Sequence, residues 1–157
     1  AHDVATLQHC IEGAPRYAQL LSGAPAGPNE GRDILAMLPR GKTQDDKFVF
    51  AIEADGHCVG CIDMMRGFPD PTTVHIGLLL VAEAHEGHGW GGVALAQIEA
   101  MVRAWGPFAR LRIGIVENNA RAFAFWTRHG FVPTGEVKPF GVEAVTSQVL
   151  IYTKPLA

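Results

Sequence analysis

Glu83-Ala84-His85-Glu86-Gly87-His88-Gly89-Trp90-Gly91-Gly92 stands between a continuous apolar run ending at Val81 and an apolar pattern of helical period. Its glycines let the backbone adopt positive φ and approach a ligand closely, so successive N–H groups can converge on an anion where the helix begins. A phosphate-bearing cofactor is the cargo such a turn suits best.

Upstream of the turn, residues 73–81 read as a strand, apolar enough from Leu78 to Val81 to sit centrally in a sheet. Downstream, Leu95, Ile98, Val102 and Trp105 recur at helical intervals until Gly106-Pro107 stops the helix. Leu111, Ile113 and Ile115 then alternate with Arg110, Arg112 and Gly114, marking a strand that closes a β-α-β unit. A helix over residues 120–129 presents Ala122, Phe125, Trp126 and His129 on one side, with Gly130 at its C-cap, and residues 131–137 and 145–152 read as terminal strands. On the N-terminal side, residues 4–21 and 30–38 read as two helices, separated by a Gly/Ala/Pro loop at 23–28. Phe48, Phe50 and Ile52 alternate with Val49 and Ala51, and Asp55-Gly56 turns the chain into a second strand over 57–65.

With 157 residues, 48% of them apolar, the chain suits one domain with a substantial core. Thirteen basic and 16 acidic side chains give a formal charge of −3, and no Lys/Arg block stands out, which argues against a nucleic-acid or anionic-membrane surface. No apolar stretch approaches the roughly 18 residues of a membrane span and no basic-then-apolar leader opens the chain, so cytoplasmic residence is the expectation. The chain begins at Ala1 rather than methionine, so a preceding segment, including a first edge strand, is expected to be missing. Three cysteines fit a reducing compartment. Cys58 and Cys61 lie in one strand, where an odd separation sends side chains to opposite faces and argues against a shared metal. The spacing of His57, His85 and His88 repeats no zinc signature, so no metal is expected.

Gly87-His88-Gly89-Trp90-Gly91-Gly92 also satisfies G-x-G-x-x-G, which raises a dinucleotide site. Against it, the turn lies past mid-chain and no acidic residue ends a strand about 20 positions on. A nucleotide-hydrolysing loop requires a lysine and a hydroxyl after its last glycine, and both are absent.

Glu86-Gly87-His88-Gly89-Trp90-Gly91 resembles the Q/R-x-x-G-x-G/A acetyl-coenzyme A motif of the GNAT superfamily of N-acetyltransferases, with Glu86 in place of the usual Gln or Arg. A second block in the correct order, Glu117-Asn118-Asn119-Ala120-Arg121-Ala122-Phe123-Ala124-Phe125-Trp126-Thr127-Arg128-His129-Gly130-Phe131, is similar to the family's N-x-x-A-x-x-F-Y-x-x-x-G-F segment, Trp126 taking the tyrosine's place. The resemblance extends from roughly Lys47 to Tyr152 and implies a mixed, mostly antiparallel α/β sheet with a splayed central strand pair and flanking helices. It implies a single acetyltransferase domain over residues 1–157 that lacks its first N-terminal strand.

For function, the resemblance implies transfer of acetyl from acetyl-coenzyme A to a primary amine on a small molecule or peptide. Attack is expected to be direct, in a ternary complex, since no cysteine has a nucleophile's neighbours. The cofactor residues implied are Leu79, Leu80 and Val81 for the pantetheine arm, Glu86, Gly87, His88, Gly89, Trp90, Gly91 and Gly92 for the diphosphate, and Asn119, Phe125 and Trp126 for the channel. An acidic Glu86 beside a diphosphate is unfavourable unless it points away. Trp126 cannot serve as the family's tyrosine acid, because an indole N–H hydrogen-bonds without releasing its proton. Glu117 is the first choice for a base, its carboxyl expected to rise on partial burial, with His75 and Glu83 as the other candidates. Asp63 and Arg66 are candidates for reading acceptor charge, and residues 22–31 and 138–144 for bordering the acceptor cleft. A homodimer is also expected from the resemblance. The alternative is an acyl-coenzyme A binding or regulatory domain that has lost its chemistry.

Overall fold

The computed structural model describes residues 2–142 and 145–157. Its helices are α1 (His2–Glu12), α2 (Pro15–Ser22), α3 (Glu30–Ala36), α4 (Trp90–Trp105) and α5 (Ala120–Arg128). The strands are β1 (Lys47–Ala54), β2 (His57–Arg66), β3 (Thr73–Val81), β4 (Arg110–Val116), β5 (Val132–Val142) and β6 (Val145–Pro155). The single helix expected over 4–21 is two, because Pro15 can start a helix but cannot continue one, and the chain turns at Gly13-Ala14.

The strands form one sheet in the order β1-β2-β3-β4-β6-β5, mixed and mostly antiparallel as expected, with β3 and β4 its parallel pair. That pair is splayed. The ladder runs from Thr73↔Arg110 to Ile76↔Ile113 and stops, although β3 continues to Val81 and β4 to Val116. Gly77 begins the separation. The register between β2 and β3 slips there, Met64 opposing Ile76 while Asp63 opposes Leu78, so Gly77 is the extra residue of a bulge. A side chain at Gly77 would come within 3.2 Å of the Asp63 carboxylate, and glycine avoids that clash.

One face of the sheet packs on α4 and α5. Leu95, Ile98 and Val102 of α4 meet Ile62, Met64, Val74, Ile76, Leu111, Ile113 and Ile115, and Trp105 stacks on Phe48 with ring centroids 4.4 Å apart. Burying each large aliphatic side chain contributes about 1.5–3 kcal/mol, so this layer is the main hydrophobic anchor. The opposite face carries the N-terminal helices: Leu7, Cys10, Ile11 and Ala14 pack with Cys61 and Leu80, joined by Tyr17, Ile34 and Leu35.

Cys58 and Cys61 do not face opposite ways. Glu53 opposes Cys58 and Ile52 opposes Gly60, so Val59 is a bulge residue that resets the alternation, and both thiols join the helix-covered face beside Cys10. The Cys10 and Cys58 sulfurs lie 2.7 Å apart. Among the described residues no group of three or more His, Cys, Asp or Glu side chains is arranged to hold a metal.

Candidate active site

Where β3 and β4 part, a cleft of about 1120 Å³ opens between them and runs up to the N-terminus of α4. Its lower walls are Ile76, Gly77, Leu78, Leu79, Ile113, Gly114 and Ile115, and its upper end is the glycine turn. The turn follows a short 3-10 segment, Glu83–His85. Gly87 and Gly89 have φ of +79° and +80°, and a Cβ at either would meet nothing within 4 Å. Bare backbone therefore faces open space. Gly89 is the N-cap of α4 and supplies no side-chain acceptor, which leaves the first-turn N–H groups for an external anion. Gly91 serves packing instead: a Cβ there would stand 3.2 Å from the Phe125 ring, so glycine lets the helix start seat closely against α5.

Glu86 borders the turn, and its charge is covered. Its Oε2 accepts from Arg16 Nη2 at 2.6 Å and from Arg121 Nη2 at 2.8 Å, a clasp reaching from α2 to α5 across the upper end of the cleft. The acidic residue thus does not present a bare carboxylate to the glycine turn, and a phosphate-bearing cofactor fits there. Neither arginine was expected, because the contacts join residues 70 and 35 positions apart.

Of the residues expected to hold the cofactor, Leu79, Leu80, Val81, Glu86, Gly87, Gly89, Trp90, Gly91, Gly92, Asn119, Phe125 and Trp126 all line this cleft. His88 does not: it is exposed, its Nδ1 3.2 Å from the His85 carbonyl oxygen. Asn119 has a structural duty too, its Oδ1 accepting from Ala122 N at 3.1 Å to cap α5. Trp126 is 8% exposed and packs edge-on against Phe125 and Phe131, so it is both cleft wall and core.

The candidate bases are dispersed. Glu83 lines the upper cleft, where the Arg16 backbone N–H and then its guanidinium hold its carboxyl below the usual range. Glu117, at the end of β4, is exposed rather than partly buried, and its Oε1 accepts from Ser147 Oγ and Gln148 N, each at 3.1 Å. It lies outside the cleft lining. His75 also lies outside it, one rung below the splay on the helix-covered face, with Nδ1 3.3 Å from Arg112 Nη1. Burial, then the Arg112 charge, pushes its pKa down to about 4, so His75 is neutral at pH 7.

Asp63 and Arg66 are separated by the sheet. Asp63 pairs with Lys47 at 2.8 Å on the helix-covered face, burial pushing its carboxyl up against the pull of the lysine. Arg66 lies over Phe48 on the α4 side, 5.3 Å from the ring centroid. Residues 138–142 belong to β5 instead of a loop, and 143–144 lie outside the described residues. Tyr17 was not anticipated as a site residue. It reaches the cleft from α2, its phenol pushed up to about 12 by burial.

The same architecture recurs in solved structures. An acetyltransferase from Thermus thermophilus superposes with a TM-score of 0.74 at 24% identity, covering 98% of this chain and 91% of that one. The ribosomal-protein-S18-alanine N-acetyltransferase from Escherichia coli gives 0.74 at 13% identity, covering 100% and 90%. A GNAT family acetyltransferase from Elizabethkingia anophelis with acetyl-coenzyme A bound gives 0.57 at 17% identity, covering 71% and 77%. No curated protein matches the chain. The model of the acetyltransferase (GNAT) family matches residues 17–131, a span that holds the splayed strands, the glycine turn and α5. The chain belongs to the acetyltransferase (GNAT) family.

Proposed function

We propose that this protein is an N-acetyltransferase that moves acetyl from acetyl-coenzyme A to a primary amine by direct attack in a ternary complex. The observation that carries the reading is the continuous cleft from the uncapped start of α4 to the gap between β3 and β4. The α4 N–H groups suit the diphosphate, and the parted strand edges at Leu79 to Val81 leave backbone groups for the pantetheine arm. Bound there, acetyl-coenzyme A would supply an activated thioester whose C–S bond breaks as the amine forms the new C–N bond.

Two proton movements fall to the chain. Tyr17 keeps its proton at neutral pH and is the hydroxyl the cleft offers to a departing thiolate. It stands on α2, not at the Trp126 position, and supports the catalytic reading over that of a binding module. Glu117 is the proposed proton acceptor, acting through water from outside the cleft lining, its Oε1 being the oxygen that Ser147 and Gln148 engage among the described residues. A reduced cysteine set and the absence, among the described residues, of a helix able to cross a membrane are compatible with the cytoplasm as its setting.

Calorimetric titration with acetyl-coenzyme A and, separately, a nicotinamide dinucleotide tests the cofactor, and coenzyme A release with an amine panel tests turnover. Selective binding with turnover is expected. Selective binding without turnover of any amine favours the regulatory alternative, and binding of the dinucleotide alone overturns the reading. Glu117→Gln is expected to slow transfer more than it weakens cofactor binding. An unchanged rate across pH would remove Glu117 from the mechanism.

A further inference from the structure

Arg112 is the most deeply buried cation of the helix-covered face beside the cleft whose charge is poorly matched. Its side chain is 7% exposed, and among the described residues it has two side-chain polar partners. One is the neutral His75 ring at 3.3 Å. The other is Glu136, whose Oε1 stands 3.8 Å from Arg112 Nη2, beyond hydrogen-bond length, on a side chain 47% exposed. The same oxygen lies 3.3 Å from Lys138 Nζ, so two cations share one half-exposed carboxylate. A guanidinium this enclosed normally has close, hydrogen-bonded anionic partners, because an undercompensated buried charge is costly.

Its place in the sheet gives that charge a use. Arg112 and His75 form the rung directly below Ile76↔Ile113, the last before the strands part. Ile76 and Ile113 line the lower cleft, and their side chains join the α4 core, so those of His75 and Arg112 alternate to the face that carries α1, α2 and α3. Gly114, the next residue of β4 to face that side, lines the cleft, so Arg112 borders the cleft from below, just outside its lining. Glu136 sits in an irregular stretch of the edge strand, where the β5–β6 register shifts between Pro133 and Val137, and it can swing into solvent.

Resting on the transferase reading, we infer that Arg112 is an anion subsite of the acceptor groove, taking the carboxylate of a small amino-acid-type amine, with Glu136 as the carboxylate it displaces. The described residues about this point carry two positive charges and one negative, His75 being neutral at pH 7. A polyamine or an aminoglycoside brings further cations to a site already net positive, whereas an amino acid brings the missing anion.

The test sets L-amino acids against their C-terminal amides, with spermidine and kanamycin as polycationic controls. Coenzyme A release is followed, and saturation-transfer NMR reports binding independently of chemistry. At least one amino acid is expected to exceed its amide tenfold or more in kcat/KM. Arg112→Gln should erase that preference through KM. Glu136→Gln, which keeps the size of a half-exposed side chain and whose folding is checked by urea unfolding, should lower KM for the same amino acid a few-fold, because it removes the internal competitor. Equal rates for acids and amides, best rates for spermidine or kanamycin, or a raised KM in Glu136→Gln overturns the subsite. If acetyl-coenzyme A binds but no amine turns over, the transferase reading fails by itself. The NMR comparison then still decides: carboxylate-dependent signals lost in Arg112→Gln support the subsite, and equal or absent signals overturn it.

Discussion

The upper end of the cleft is made of backbone, whereas the sheet beneath its lower end holds a set of buried polar side chains. At the glycine turn the groups on offer are N–H donors that every non-proline residue owns, bared by Gly87 and Gly89 at the start of α4. Of the charges beside them, Arg16 and Arg121 are exposed and Glu86 is half-buried beneath them. Below the splay, His75, Arg112, Lys47 and Asp63 are held away from water, and each owes its place to a different strand or pairing register. A backbone site tolerates substitution of its side chains but not of its glycines. A buried side-chain site couples its protonation to the stability of the whole fold.

The largest expected effect lies at the lower end. Above about pH 6.5 His75 is neutral in both folded and unfolded chains and adds no pH dependence. As pH falls, the unfolded histidine takes its proton near 6.5 while the folded one resists until about 4, held neutral by burial and by Arg112, with Lys138 adding to that charge. Among the described residues Glu136 is the anion beside this group, and it stands on Arg112 and Lys138. Stability is therefore complete above pH 6.5 and lost between 6.5 and about 4, by roughly 2–3 kcal/mol from this residue. Urea unfolding at pH 7, 5 and 4 should show that loss in the native protein and a smaller one in His75→Gln. Equal losses in the two proteins would mean that the histidine is not isolated from solvent, and the contrast between the two ends would dissolve.

At the upper end, Gly89→Val should weaken acetyl-coenzyme A binding tenfold or more, at least about 1.4 kcal/mol. A β-branched residue is strained at φ +80°, and its side chain projects into the open space above the turn. Calorimetry checks this, and unchanged affinity would move the diphosphate away from the turn. Urea unfolding of the same variant should keep the pH dependence of the native protein, since nothing at the lower end is touched.

The same contrast explains what could be read from the chain alone. The glycine turn, α4, β4 and α5 were legible because their signals are local: positive-φ residues, a helical apolar period and strict alternation, all within contiguous windows. The splayed sheet came from the resemblance that those segments carry. Single bulge residues were not legible. Val59 reversed the reading of Cys58 and Cys61, and Gly77 offered a hint, a glycine inside an apolar strand, whose partner Asp63 becomes visible only with the register of β2 against β3. The Arg16–Glu86–Arg121 clasp and the His75–Arg112–Glu136 group join residues far apart in sequence, so no window contains them.

The smallest expected effect probes the clasp. Glu86 keeps an acidic side chain beside an anion site because Arg16 and Arg121 both donate to its Oε2. Arg121→Gln removes one of these cations, and Glu86 then repels the diphosphate more strongly. Exposed pairs of this kind are worth about 0.2–1 kcal/mol, so acetyl-coenzyme A affinity should fall roughly two- to fivefold at low ionic strength. The loss should fade near 1 M salt, where the Debye length is about 3 Å and exposed charges no longer act across the turn. A loss that persists in high salt would instead assign Arg121 a direct, dehydrated contact with the phosphate. Tighter binding in Arg121→Gln would show that the arginine is competed for by Glu86 and contributes nothing to the cofactor. The upper end would then rest on backbone alone, the sharpest form of its difference from the lower one.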